Sequence, residues 1–91
     1  MTTLTDILDI LKEVIAEEIA STPDQVDEHA TFHALGLDSI SAIVVLDYVE
    51  RKLGLAINPI SFWDYPTPHL LADYLLSQQA ADNGDGDKKA L

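Results

Sequence analysis

The sequence predicts an all-α fold, a bundle of three main helices and one short helix with a long loop after the first. Three observations lead there. Apolar residues recur at three- and four-residue steps in separate segments, no stretch alternates as a strand would, and prolines, glycines and capping residues punctuate the chain where helices must start or stop.

The first helix is expected from Thr3 to Ala20. Leu4, Ile7, Leu8, Leu11, Val14, Ile15 and Ile19 fall on one face. Thr3 followed by Asp6 marks its start, with the acid where the positive end of the helix dipole favours it. Pro23 bars easy continuation. From Ser21 to Leu37 the period dissolves into a long connection holding Pro23, His29, His33 and Gly36. Val26, Phe32, Leu35 and Leu37 are its apolar residues and are expected to pin it to the core. A structureless connection of this length is unusual unless it serves function.

Asp38 caps a second helix that runs to about Leu53, with Gly54 at the left-handed closing position. Asn58 and Pro59 start a short helix through about Trp63, and Asp64–Tyr65–Pro66 breaks it. Thr67 caps the last helix with Pro68 as its first residue, and Leu70, Leu71, Tyr74 and Leu75 supply its apolar face. Trp63 and Tyr65 are expected as aromatic plugs of the small core. After about Gln79 the composition turns to Ala, Asp, Gly, Asn and Lys. Residues 1–79 are therefore read as the domain and 80–91 as a disordered acidic and polar tail.

Composition narrows the function classes. A chain of 91 residues has room for one modest core and none for a deep catalytic cavity, since so short a domain buries only about 60% of its unfolded surface. The apolar share of 47% suffices for a packed domain. There is no cysteine, so thiol chemistry has to come from a cofactor. No basic segment leads into an apolar one at the N-terminus, and no apolar run reaches the roughly 18–20 residues of a membrane span. A soluble cytoplasmic monomer is expected, and Met1 with the polar tail is expected of a free-standing protein. The net charge of −11 argues against nucleic acid and anionic membranes and favours partners with basic surfaces. The same acidity also has a plain reading as a solubility device.

The second helix is apolar nearly all round. Val45, Leu46, Val49 and Leu53 form one stripe, while Ile40, Ile43 and Val44 lead another that ends at Asp47. A bundle needs one stripe per helix for its core. Periodicity alone leaves the second either buried by a neighbour or exposed for docking.

Where the long loop meets this helix the sequence reads Gly36–Leu37–Asp38–Ser39. Free backbone N–H groups and the positive dipole end converge on Ser39, a setting that stabilises a phosphate. An Asp-Ser dipeptide alone is an ordinary helix start. In context, Gly-Leu-Asp-Ser-Ile, the apolar-rich helix and the closing Leu53–Gly54–Leu55 resemble the phosphopantetheine attachment motif of carrier proteins. Phe62–Trp63–Asp64–Tyr65–Pro66–Thr67–Pro68, followed by Leu70–Leu71–Ala72–Asp73–Tyr74–Leu75, resembles the stretch before the last helix of polyketide-type acyl carrier domains. The likeness covers roughly residues 4–78.

That resemblance implies a four-helix, acyl-carrier-like bundle that is not itself an enzyme. It implies 4′-phosphopantetheine, drawn from coenzyme A by a phosphopantetheinyl transferase with Mg²⁺ and linked to Ser39, its thiol carrying acyl groups as thioesters. Gly36 and Leu37 would shape the attachment turn, and Asp38 would assist the transferase and its Mg²⁺. Partners would be acyltransferases or ligases, ketosynthases and other acyl-processing enzymes, docking on Ile40, Ile43, Val44 and Asp47, while Val45, Leu46 and Val49 would face the core. One departure stands out. The position of Val44 is commonly acidic in fatty-acid carriers, so an apolar residue there implies partners that read this face more by burial than by charge. Val45 is often Leu, a mild change at a core site.

A peptidyl or aminoacyl carrier of nonribosomal synthesis and a fatty-acid synthase carrier remain alternatives within the family, as does a helical protein-interaction module outside it. A hydrolase nucleophile at Ser39 is disfavoured because the Gly-x-Ser-x-Gly elbow is absent. His29, His33 and His69 share no metal-ligand spacing and read as surface or loop residues. The run from Asp82 to Asp87 resembles a calcium loop only superficially, lacking its glycine at the sixth position and its closing acid.

Overall fold

In the computed structural model, which describes residues 2–84, four α-helices follow one another: α1 (Leu4–Glu18), α2 (Ser39–Leu53), α3 (Ser61–Asp64) and α4 (Pro68–Gly84). There is no strand among the described residues, so the all-α four-helix prediction holds. Nor is any described helix long and apolar enough to cross a membrane.

Local chemistry sets most of the boundaries. The Thr3 hydroxyl accepts the Asp6 N–H at 3.2 Å while the Asp6 carboxylate accepts the Thr3 N–H at 2.9 Å, a reciprocal cap that starts α1. The stop lies before Pro23. The Ser21 N–H donates to the Ala16 carbonyl at 2.8 Å and the Ala20 N–H to that of Glu17 at 3.4 Å. Ala20 takes the left-handed conformation (φ 57°) that this closure demands and that glycine usually supplies. At the far end of α2, Gly54 fills the same role at φ 68°. The Thr67 hydroxyl accepts the Leu70 N–H at 3.1 Å and starts α4.

Packing centres on α1, which lies against both α2 and α4. Ile7, Leu11 and Ile15 from α1, Val45 and Val49 from α2, and Leu71 and Leu75 from α4 are fully buried. The long loop closes over this core as expected, with Val26, Phe32 and Leu37 buried and Leu35 half-buried. It is not structureless, for Pro23–Gln25 forms a 3₁₀ turn against α1. Phe32 stacks on Phe62 at 4.1 Å between ring centres, and its N–H donates to the Pro66 carbonyl at 2.9 Å. The loop is thus tied to both ends of the α3–α4 connection. The link between α2 and α3 is held by the Glu50 carboxylate, which accepts the Ile57 N–H at 2.6 Å.

Three expectations need correction. Trp63 is no core plug: it is 72% exposed, because Phe62 takes the inward side of a one-turn helix and its neighbour is rotated about 100° away. Tyr65 is half-buried and stacks on Tyr74 at 4.3 Å. Leu70 is also exposed, the inward positions of α4 being Pro68, Leu71, Ala72 and Leu75. Finally, α4 continues past Gln79 to Gly84, since Ala80 and Ala81 are strong helix formers and no breaker intervenes. Gln79 itself donates to the Leu53 carbonyl at 3.3 Å, holding α4 to the end of α2. The remainder of the tail, residues 85–91, lies outside the described residues.

Candidate functional site

The loop delivers Ser39 through a tight, internally bonded turn. The N–H groups of Leu35, Gly36 and Leu37 donate to the carbonyls of Thr31, His33 and Phe32, each at 3.0 Å. Gly36 has φ +99°, a backbone that L side chains rarely adopt, so the turn depends on glycine through its backbone; a Cβ there would meet only Ile19 Cγ2, at an ordinary 3.9 Å. Leu37 is buried and anchors the turn. Asp38, in extended conformation, accepts the Ser41 N–H on Oδ1 at 2.8 Å and caps α2. That bond, with the Ser41 hydroxyl adding to it, holds the Asp38 carboxyl below the usual aspartate range, so the group is anionic at neutral pH.

Ser39 is the first residue of α2 and is exposed. It stands on the rim between two hollows. One, of about 290 Å³, runs toward the loop over Thr31, Phe32, His33, Leu37 and Pro66; the other, of about 220 Å³, runs along α2 over Ile43, Leu46 and Pro59. Ala42, Phe62 and Trp63 line both. The structure therefore brings α3 against the head of α2.

The two stripes of α2 separate cleanly in burial. Val45, Leu46 and Val49 are buried. Ile40 is 75% and Ile43 58% exposed, and Asp47 is exposed in an ion pair with Arg51 at 2.9 Å. Val44 straddles the boundary, half-buried. Ile60 and Trp63, both exposed, add to the apolar surface beside Ser39. Sequence reasoning missed both, although two adjacent aromatics on a one-turn helix cannot both point inward. It also missed that His69, at the start of α4, meets Glu28 and His29 in the long loop.

A model of the family described as the phosphopantetheine attachment site matches residues 9–75, from within α1 through the long loop, α2 and α3 to the first half of α4. The chain belongs to that family. Its members are carrier domains, which are not catalytic, and the match implies covalently bound 4′-phosphopantetheine. Among curated proteins, a phenolphthiocerol/phthiocerol polyketide synthase of Mycobacterium tuberculosis is 33% identical over 79 residues, 87% of this chain and 4% of that protein. The pikromycin polyketide synthase component PikAII of Streptomyces venezuelae is 33% identical over 73 residues, 75% of this chain and 2% of that protein. The carrier thus spans a small fraction of these large relatives.

Among solved structures, a free-standing peptidyl carrier protein from Acinetobacter baumannii superposes with a TM-score of 0.78 at 35% identity, covering 82% of this chain and 94% of that one. The HMG-ACPI domain of the CurA module from Lyngbya majuscula gives 0.79 at 26% identity, covering 89% and 82%. The carrier bundle inferred from the sequence is thereby borne out.

Proposed function

We propose that this carrier holds its 4′-phosphopantetheine arm on Ser39 and conveys acyl intermediates as thioesters in polyketide assembly. The observation that carries the reading is the placement of Ser39: exposed, at the first turn of α2, after an internally bonded turn, between two hollows. The group fits there. The first N–H groups of a helix lack partners within it; the Asp38 carboxylate takes that of Ser41 at 2.8 Å, and the positive end of the α2 dipole favours a phosphodiester on Ser39 Oγ. When bound, the arm supplies the thiol that the cysteine-free chain lacks.

Loading is phosphoryl transfer. Ser39 Oγ bonds to the phosphorus of the pantetheine phosphate of coenzyme A, its proton passing to a base of the transferase, and the bond from that phosphorus to the bridging oxygen breaks, so that the nucleotide leaves with that oxygen. Asp38, held anionic by its bond to Ser41, lies next in the chain to the reacting hydroxyl, and its charge would assist the transferase and its Mg²⁺. A phosphopantetheinyl transferase and acyl-processing enzymes dock on the exposed side of α2 at Ile40, Ile43, Val44 and Asp47, with Trp63 and Ile60 extending that surface. In this reading residues 1–79 act as a monomeric carrier in the cytoplasm, where coenzyme A is supplied, and residues 80–91 are an appendage to it.

The polyketide assignment is supported by the curated relatives, both of those named being polyketide synthases. Likeness to the Acinetobacter baumannii peptidyl carrier favours a second reading, carriage of aminoacyl groups. The first experiment is incubation with coenzyme A, Mg²⁺ and a broad-specificity phosphopantetheinyl transferase, followed by intact mass. One phosphopantetheinyl addition is expected on the wild type and none on Ser39→Ala. No addition, or one that persists in the variant, overturns the assignment of Ser39. Loading the product with malonyl or with aminoacyl groups by the matching enzymes then separates the two cargo readings.

A further inference from the structure

Away from Ser39, a second cluster joins the long loop to α4. The His69 N–H donates to the Glu28 carbonyl at 2.9 Å, and the His69 ring brings Nδ1 to 3.0 Å from Glu28 Oε1. His29 Nε2 lies 3.8 Å from the same oxygen, and the two imidazole rings are 4.9 Å apart. One donor atom from each of Glu28, His29 and His69 falls within 4.8 Å of the other two. On the outer side of the carboxylate, Lys12 Nζ holds Oε2 at 3.1 Å.

We propose that Glu28, His29 and His69 form a site for a divalent transition metal of the zinc class, which clips the long loop to the start of α4. In a tetrahedral zinc site with bonds of about 2.0–2.1 Å, neighbouring ligand atoms are about 3.3 Å apart. Two of the edges here, 3.0 and 3.8 Å, already bracket that value. The third edge, between the two histidines, lies within 4.8 Å. Two imidazoles and a carboxylate are the donor set of zinc sites that keep a fourth position open for water. The same set discriminates against Mg²⁺ and Ca²⁺, which demand oxygen ligands throughout.

The surroundings of the carboxylate suit a metal. Glu28 carries its carboxylate between His69 on one side and Lys12 on the other, with Oε1 turned to the histidines. Lys12, engaging Oε2, leaves Oε1 to the metal and orients the group from outside, as outer-shell partners commonly do. Repulsion between Lys12 and the cation limits affinity, and the net charge of −11 offsets it in part. The backbone is prepared as well, because the His29 N–H donates to Asp27 Oδ1 at 2.9 Å and fixes the turn on which His29 is carried.

The third histidine provides an internal control. His33 lies in the hollow beside Ser39 and has no place in this cluster. Zinc titrated into the chelator-treated protein, followed by the imidazole NMR signals, is expected to shift or broaden His29 and His69 together and leave His33 in place. The melting temperature should rise with zinc, as it does for any ligand that binds only the folded state. Mg²⁺ at the same concentration should move neither histidine. His29→Gln and His69→Gln should each weaken zinc binding at least tenfold. His29 is well exposed, so its variant keeps the fold and the test stands even where His69→Gln destabilises α4. Silent His29 and His69 signals, an equal response at His33, or unchanged zinc affinity in His29→Gln would overturn the site and leave the cluster as an ion-pair network only.

Discussion

Asp38 serves two ends with one carboxylate. Its bond to the Ser41 N–H starts α2, and the charge that makes the bond strong is carried next to Ser39. Removing the acceptor in Asp38→Ala should lower the melting temperature by a few degrees, while Asp38→Asn, which keeps an acceptor for the cap, should lower it less. The charge leaves a pH signature. Because the folded pKa is depressed below the unfolded value of about 3.9, the wild type holds this contribution above that pH and loses it as pH falls through the folded value. Melting curves of wild type and Asp38→Asn between pH 7 and pH 3 should therefore converge at the acid end. A constant gap would mean that the charge contributes nothing. This much was legible in the sequence, because an Asp at an N-cap acts within one turn. That a partly exposed Glu28 faces His69 was not, because 41 residues separate them in the chain and only packing brings them together.

At the scale of the element, α2 is the informative case. Its two apolar stripes are equal in the sequence, and the packed bundle decides between them: the stripe of Val45, Leu46 and Val49 goes to α1 and the core, and Ile40 and Ile43 remain in solvent. Ile43 is a cleaner probe of the outer stripe than Val44, which is half-buried and would mix a stability cost into any charge test. Ile43→Glu is expected to leave the melting temperature nearly unchanged and to reduce kcat/KM for arm transfer by a phosphopantetheinyl transferase several-fold. Val45→Glu, which buries an unpaired charge, should unfold the domain. If Ile43→Glu melts the protein instead, the outer stripe belongs to the core and the docking assignment fails. The end of α1 carries a related lesson. Pro23 is a visible barrier, yet the helix stops earlier through backbone bonds at Ala20, a residue that gives no sign in the sequence of its left-handed conformation.

For the whole molecule, stability rests on one small core to which every helix contributes. Leu71 of α4 is fully buried among it. Leu71→Ala should cost about 2–5 kcal/mol, the range for leucine truncations in packed cores. In a domain whose total stability is of the order of 5–15 kcal/mol, that is a large fraction. Urea titration should show a lower midpoint with an unchanged slope, and a changed slope would mean that the variant is no longer a compact two-state domain. By itself the sequence determined the helical class, the N-terminal caps of all three long helices, the loop residues that reach the core and the turn that presents Ser39. Each of these depends on backbone rules that act over a few residues or on a period of 3.6. Only the tertiary structure decided that Trp63 faces outward, that Leu70 is spared burial, that α3 closes two hollows around Ser39, and that Glu28, His29 and His69 meet. Those outcomes depend on how each helix is rotated about its own axis and where the long loop is laid, which are set by the simultaneous packing of distant segments.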